Sequence, residues 1–174
     1  MENIQRRSRF EALFSAHAAA VRAYARRRVD PIAADDAVSE VFVIAWRRLD
    51  DVPDDALPWL LGCARNVLAH QRRRSRRDVA LQDRLAATGG PKSPFEDDRG
   101  LGQALAHLSE RDRELLLLIA WEGLEPHQAA GALGCSRGTL AVRLHRARKR
   151  LAAALNAVHE DDPPATRPQA EEAI

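Results

Sequence analysis

Residues 134–151 read GCSRGTLAVRLHRARKRL, and seven of these eighteen positions are basic or potentially basic. Three readings compete for such a stretch: a helix that reads DNA, a helix that lies on a membrane or a partner, and a solvated face with no special task. What precedes it, and which way its basic residues point, separate them. Upstream, Pro126 suits a first helical turn, and Ala129, Ala130 and Leu133 share an inward face small enough for close helix crossing. Gly134 stands where a helix stop needs a left-handed residue, Cys135 plugs the turn, and Ser136 can cap the next helix with its hydroxyl. A short helix, a glycine turn and a longer basic helix is the grammar of a helix-turn-helix, which a generic helical hairpin shares.

Orientation decides between them. At 100° per residue, Leu140, Leu144, Ala147 and Leu151 fall in a stripe about 60° wide. That stripe is a buried seam. Val142, His145 and Lys149 lie opposite it, Thr139, Arg143, Arg146 and Arg150 run along one flank, and Arg137 and Arg148 along the other. A core-facing seam under a basic outer surface is what docking in a major groove requires. A membrane-surface helix needs large apolar residues on its exposed face, and here the domain core already uses them. DNA is therefore the favoured partner.

The rest of the chain fits an all-α protein. Helix formers (Ala, Leu, Arg) dominate the 45% hydrophobic and 30% charged composition, and β-branched residues are sparse. The net charge of +2 hides separated blocks: acidic at Asp50–Asp55, Glu96–Asp98 and from Glu160 onward, basic at Arg26–Arg28, Arg72–Arg77 and Arg143–Arg150. Such segregation points to a polyanion for the basic surfaces. The two cysteines, Cys63 and Cys135, are far apart in apolar contexts, so they read as buried small hydrophobes rather than as a zinc site or a disulfide. No metal or cofactor is expected. MENIQRRSRF has no apolar signal region and no apolar run approaches 18 residues, so the expectation is a soluble cytoplasmic protein without membrane insertion.

Periodicity places helices over about 9–28, burying Phe10, Leu13, Phe14, His17, Val21, Tyr24 and Ala25; from Pro31 to about Leu49, burying Val38, Val41, Phe42, Ala45, Trp46 and Leu49; and from about Trp59 to Arg76. Asp30-Pro31 and the acidic DDVPDDALP (50–58) separate them. VALQDRLAATGGPKSPFEDDRG (79–100) reads as a flexible linker, and 157–174 as a disordered acidic tail. Helical patterning resumes at Leu101, and Ser109 caps a helix holding Leu115–Ile119 and closed by Gly123. The expected organisation is two small helical domains, 1–78 and 101–156, the second containing the helix-turn-helix over about 126–133 and 136–156.

In the N-terminal half, QRRRSRR (71–77) can contact several phosphates, and Trp59, Arg65 and Asn66 just upstream suit stacking and edge hydrogen bonds with single-stranded bases. Trp59 fits a core position equally well. DDAVSEVF (35–42) exposes Asp36, Ser39 and Glu40, a pattern that solubility explains more simply than a protein contact. An enzyme is disfavoured: there is no glycine-rich phosphate loop, the carboxylates are not paired, and His107, His127 and His159 stand alone.

Taken together, DDAVSEVFVIAWRRL, PWLLGCARNVLAHQRRR and LSERDRELLLLIAWEGLEPHQAAGALGCSRGTLAVRLHRARKRL, in this order, resemble bacterial RNA polymerase sigma factors of the extracytoplasmic-function group. The resemblance covers about 10–77 and 101–155. It implies a dissociable, non-catalytic polymerase subunit that recognises −35 and −10 promoter elements and promotes melting. Asp36, Ser39, Glu40 and Phe42 would form or support the surface meeting the polymerase clamp helices, the C-terminal domain would meet the flap, and the linker would thread toward the RNA exit. The loop 50–58 with Trp59, Arg65 and Asn66 would hold unpaired −10 bases, and Arg72, Arg73 and Arg74 would track the backbone. Ser136, Arg137, Thr139, Val142, Arg143, His145 and Arg146 would face the −35 major groove. An anti-sigma factor is a possible further partner. Ser39 replaces a common Gln, His70 a common Asp, and Ala141-Val142 polar base-reading positions, which leaves the −35 sequence open. The competing reading is a stand-alone helix-turn-helix regulator with an N-terminal sensor or dimerisation domain.

Overall fold

The computed structural model describes residues 2–82 and 99–161. Most of the expected linker, 83–98, and most of the expected tail, 162–174, lie outside the described residues. Among the described residues the secondary structure is helical throughout, with no strand: α1 (Glu2–Arg26), α2 (Pro31–Arg47), a 3₁₀ turn (Leu49–Asp51), α3 (Ala56–Gln82), α4 (Arg99–Ala106), α5 (Glu110–Ala120), α6 (Pro126–Leu133) and α7 (Arg137–Asp161).

The breaks fall where side chains offer the backbone an alternative. Asp30 caps α2, its Oδ1 accepting from the amides of Ile32 and Ala33 at 3.0 Å each, and Pro31 occupies the first turn where no donor is lost. Ser109 caps α5 by accepting from Asp112 N at 3.2 Å. Arg113 reaches back from α5 to the carbonyls of Leu105 (2.8 Å), Ala106 and Leu108 (3.2 Å each), which closes the C-terminal end of α4. Three helices run longer than periodicity indicates. α1 begins at Glu2 because nothing in ENIQRRS breaks it, and Arg6 ties that end down by donating to Asp50 Oδ2 and Trp46 O, both at 2.9 Å. α3 starts at Ala56, since Pro58 is harmless in a first turn. α7 continues past Asn156 to Asp161 through alanine-rich sequence.

α1, α2 and α3 enclose the N-terminal core of Val21, Tyr24, Val38, Val41, Phe42, Leu60, Leu61 and Leu68, with the fully buried Ala34, Ala45 and Ala64 letting the helices approach closely. At one end Phe10, Phe14, Phe42 and Trp46 make edge-on and tilted aromatic contacts at centroid distances of 4.7–6.4 Å. Two residues expected inside are only half covered there: Phe14 is 43% and Trp46 37% exposed, because they flank the sealed Phe42 at the edge of the helix pair. Cys63 and Cys135 are likewise half-buried rather than buried, and burial still pushes the Cys63 thiol up.

The C-terminal helices bury Leu105, Leu108, Leu115, Leu118, Leu124, Ala129, Ala130, Leu140, Leu144 and Ala147. A sealed leucine contributes about 1.5–3 kcal/mol by leaving water. The seam of α7 matches its helical projection, with Leu151 at its half-buried end. The two cores are continuous. α6 lies on α3, and it can do so because residue 62 is glycine: a Cβ there would stand 3.0 Å from the carbonyl oxygen of Ala132.

Candidate nucleic-acid interface

The helix-turn-helix is built by its turn. Gly134 adopts φ +65°, ψ 38°, a left-handed conformation that disfavours any residue with a Cβ. Its amide donates to Gly131 O at 3.1 Å and that of Cys135 to Ala130 O at 3.0 Å, satisfying the carbonyls that end α6. Ser136 then opens α7, its Oγ accepting from Thr139 N at 3.1 Å while the two hydroxyls hydrogen-bond at 2.9 Å. At the other end of α6, Glu125 N donates to Gln128 Oε1 at 2.8 Å.

The outer face of α7 presents Arg137, Val142, His145 and Arg146 to solvent, with Val142 51% exposed. Arg137, Arg146, Arg148 and Lys149 have no ion pair among the described residues, whereas Arg150 pairs with the buried Asp112 at 2.5 Å. The basic helix thus divides into free charges and one internal tie. Arg143 is different again. It is half-buried and faces the N-terminal domain rather than open solvent.

On α3, Trp59 is half-buried against the core with the Arg48 guanidinium 5.9 Å from its ring, so both readings of that residue have some substance. Asn66 is exposed and accepts from Arg65 Nη2 at 3.2 Å, and Arg65 Nε is buried without a partner. Arg73 and Arg74 are exposed, but Arg72 pairs with Glu110 and donates to Arg28 O at 3.3 Å. On α2, Asp36, Ser39 and Glu40 are exposed along one side; Ser39 Oγ donates to Asp35 O at 3.0 Å. Asp35 is neutralised by Arg22 at 3.0 Å and Arg26 at 3.7 Å, while Asp36 and Glu40 have no cation partner among the described residues. Phe42 is not at that surface; it is sealed in the aromatic cluster beneath it.

One basic block behaves differently from its expected role. The charges of Arg26–Arg28 are answered within the chain. Arg28 is 7% exposed, its Nε donating to Glu114 at 3.0 Å and its Nη1 to Glu122 at 3.2 Å and Tyr24 O at 3.0 Å. Tyr24 Oη donates to Glu114 at 2.5 Å, the Arg28 guanidinium stacks 3.5 Å from the Tyr24 ring, and Arg27 pairs with Glu122. Burial and the Glu114 charge hold the Tyr24 hydroxyl well above the usual phenol range. Burial opposes the Arg28 charge, but Tyr24, Glu114 and Glu122 outweigh it and raise its pKa. Partners 86 to 94 positions apart leave no periodic trace in the sequence, although a tyrosine and three arginines at a helix end are themselves legible.

Beside this cluster a cavity of about 390 Å³ is lined by Arg65, Arg72, Arg111 and Arg143, bringing predicted −10 and −35 residues to one place. Among the described residues no group of three or more potential metal ligands converges, and no helix is long and apolar enough to cross a membrane.

Comparison with known proteins agrees with this division. Residues 13–78 match Sigma-70 region 2 and residues 98–151 match Sigma-70 region 4. The chain is 34% identical over 146 residues to the ECF RNA polymerase sigma factor SigL of Mycobacterium tuberculosis, covering 78% of this chain and 82% of SigL. It is 34% identical over 131 residues to the ECF sigma factor EcfG of Rhodopseudomonas palustris, covering 70% and 71%. Among solved structures it is similar to the sigma factor RpoE in complex with the anti-sigma factor NepR from Bartonella quintana (TM-score 0.63, 28% identity, 84% of this chain and 96% of that one). It is also similar to CnrH in complex with the cytosolic domain of CnrY (TM-score 0.56, 28% identity, 85% and 88%). An N-terminal half matching region 2 is not a sensor or dimerisation domain, so the stand-alone regulator reading falls. The chain belongs to the ECF group of the sigma-70 family, non-catalytic factors that direct RNA polymerase to promoters.

Proposed function

We propose that this chain divides promoter recognition between two surfaces and polymerase binding onto a third. The outer face of α7, through Arg137, Thr139, Val142, His145 and Arg146, with Ser136 at its cap and Arg143 on its flank, docks in the −35 major groove. Trp59, Arg65 and Asn66, next to the loop 50–58, take up unpaired −10 bases, and Arg72, Arg73 and Arg74 hold the adjoining backbone. Asp36 and Glu40, with Ser39 between them and Phe42 packed beneath, meet the clamp helices of core polymerase, while the C-terminal domain meets the flap. The chain acts in the cytoplasm, where polymerase is, and the anti-sigma complexes of its structural neighbours support an anti-sigma factor as a further partner.

The observation that carries this reading is the sorting of charge. Asp36 and Glu40 on α2, and Arg137, Arg146, Arg148 and Lys149 on α7, are uncompensated among the described residues, while neighbouring charges such as Asp35 and Arg150 are neutralised within the chain. Charges left open on a surface that solubility alone would not segregate by sign fit one acidic and one basic contact. The test is reconstitution with bacterial core polymerase. The chain should co-elute with core enzyme and start transcription at a restricted promoter set. Asp36→Lys with Glu40→Lys should abolish co-elution while leaving duplex DNA binding intact; failure of the wild-type chain to bind core enzyme would overturn the reading.

A further inference from the structure

We infer that the cavity beside the Arg28 cluster is a binding site for a small polyphosphate, of the class of a nucleoside diphosphate. Five arginines line it, Arg28, Arg65, Arg72, Arg111 and Arg143, brought there from the end of α1, from α3, from α5 and from α7. Two of them are answered by carboxylates that also line it: Arg28 Nε donates to Glu114 at 3.0 Å, and Arg72 pairs with Glu110. Arg65, Arg111 and Arg143 have no ion pair among the described residues. The lining therefore holds an excess of three positive charges in a recess of about 390 Å³, where solvent screens them less than on an open helix face. Like charges gathered in this way repel one another, and an anion relieves them.

A second observation is independent of net charge. Arg28 is 7% exposed, and its Nη2 is buried with no hydrogen-bond partner, although Nε and Nη1 are both engaged. Arg65 shows the same pattern: Nη2 donates to Asn66 at 3.2 Å, while Nε is buried without a partner. A buried donor that lacks an acceptor is costly and uncommon, and here two of them belong to side chains lining one cavity. A water molecule satisfies a donor but leaves the charges unneutralised; a phosphate oxygen does both. Size and charge narrow the ligand. The volume falls in the range of small-molecule sites and exceeds what a single orthophosphate fills. A diphosphate carries about three negative charges near neutral pH, which matches the three unpaired arginines. Leu68, Ala69 and Leu133 add an apolar wall against which a sugar or base can rest. The phosphates then take Arg65, Arg111 and Arg143, and the apolar wall takes the rest of the molecule.

The site does not rest on the proposed function, and calorimetry on the full chain tests it with pyrophosphate, ADP and orthophosphate as probes. Pyrophosphate and ADP should each bind with one-to-one stoichiometry, and orthophosphate at least about tenfold more weakly, since it reaches fewer guanidinium groups. Arg111→Ala with Arg143→Ala should weaken ADP binding by about tenfold or more. Arg148→Ala with Lys149→Ala removes the same charge from exposed positions outside the cavity, and should leave ADP binding unchanged within about twofold. Ala69→Glu places a carboxylate on the cavity wall and should abolish binding, which covers the case in which the arginine pair fails to fold; circular dichroism checks the fold of each variant. Absence of saturable binding by both pyrophosphate and ADP would overturn the inference. Equal losses from the two double variants would also overturn it, as the mark of general attraction to a basic surface. A single-stranded oligonucleotide that binds with the same dependence on Arg111 and Arg143, where pyrophosphate and ADP do not, would reassign the cavity to nucleic-acid backbone and refute the small-molecule ligand. Core-polymerase binding through Asp36 and Glu40 involves none of these residues, so either reading can fail while the other stands.

Discussion

Replacing Arg146 and Arg150 one at a time with alanine removes the same charge from the same helix, four residues apart, yet the structure requires different consequences. Arg146 is exposed and unpaired among the described residues; Arg150 donates to Asp112 Oδ2 at 2.5 Å. A cation that neutralises one phosphate contributes about 0.9 to the slope of log K against log salt. Arg146→Ala should therefore lower that slope by about 0.9 and weaken duplex binding at low salt, with folding stability unchanged within about 0.5 kcal/mol. Arg150→Ala should leave the slope unchanged and destabilise the C-terminal domain, because the Asp112 side chain, only 9% exposed, loses its partner. Since the Arg150 side chain is 60% exposed and the pair is screened by solvent, the loss should be about 1 kcal/mol, below the range for buried charged hydrogen bonds. Fluorescence anisotropy on a labelled duplex between 50 and 200 mM salt (about half a decade of affinity per phosphate contact), with urea unfolding of each variant, separates the two outcomes. Equal loss of slope in both variants would refute the division of α7 into free and internally tied cations.

The other expectations can be set beside this one. Gly134→Ala, which places a Cβ at φ +65° with no atom within 4 Å to clash, should cost about 1–2 kcal/mol by conformation alone, and Gly134→Asn distinctly less; equal urea midpoints for the two would count against the left-handed turn. Leu140→Ala, at a position 1% exposed, should cost about 2–5 kcal/mol and abolish duplex binding by unfolding the helix-turn-helix, which circular dichroism detects. Asn66→Ala should spare duplex binding and impair open-complex formation on a promoter, read by permanganate reactivity; parallel defects in both assays would break the separation of the two DNA surfaces.

Much of this molecule is legible in its sequence because its local signals agree. Asp30-Pro31, Ser109, Gly134 and Ser136 act within a few residues of their own positions, and the α7 seam follows one period. Signals that depend on distant chain are not legible in that way. Trp46 carries the right spacing to point inward, yet its exposure depends on where α1 ends its coverage, and α1 starts earlier than its apolar stripe indicates. The Arg26–Arg28 block has the composition of a polyanion site, but composition records charge and not its complement. Its complement, Glu114 and Glu122, stands in a stretch that reads only as a helix core and its exit. Gly62 was equally silent, since its reason is a backbone in another domain.

The three basic blocks therefore differ in what answers them. Arg27 and Arg28 are neutralised by carboxylates of the same chain, and their charge is structural. Arg137, Arg146, Arg148 and Lys149 are answered by nothing among the described residues, so their charge is available to a phosphate at all times. Arg72 belongs to both classes. It opens the arginine run 72–74 that suits the promoter backbone, yet here it is paired with Glu110 and donates to Arg28 O at 3.3 Å. A phosphate at Arg72 would have to displace Glu110, whereas Asn66, Arg73 and Arg74 are already exposed. Glu110 and a −10 phosphate then compete for one guanidinium, so a single-stranded −10 oligonucleotide should bind against that ion pair. Glu110→Gln, which removes the competing carboxylate and leaves Arg72 in place, should strengthen binding of that oligonucleotide, whereas an unchanged affinity would confine Arg72 to a structural role.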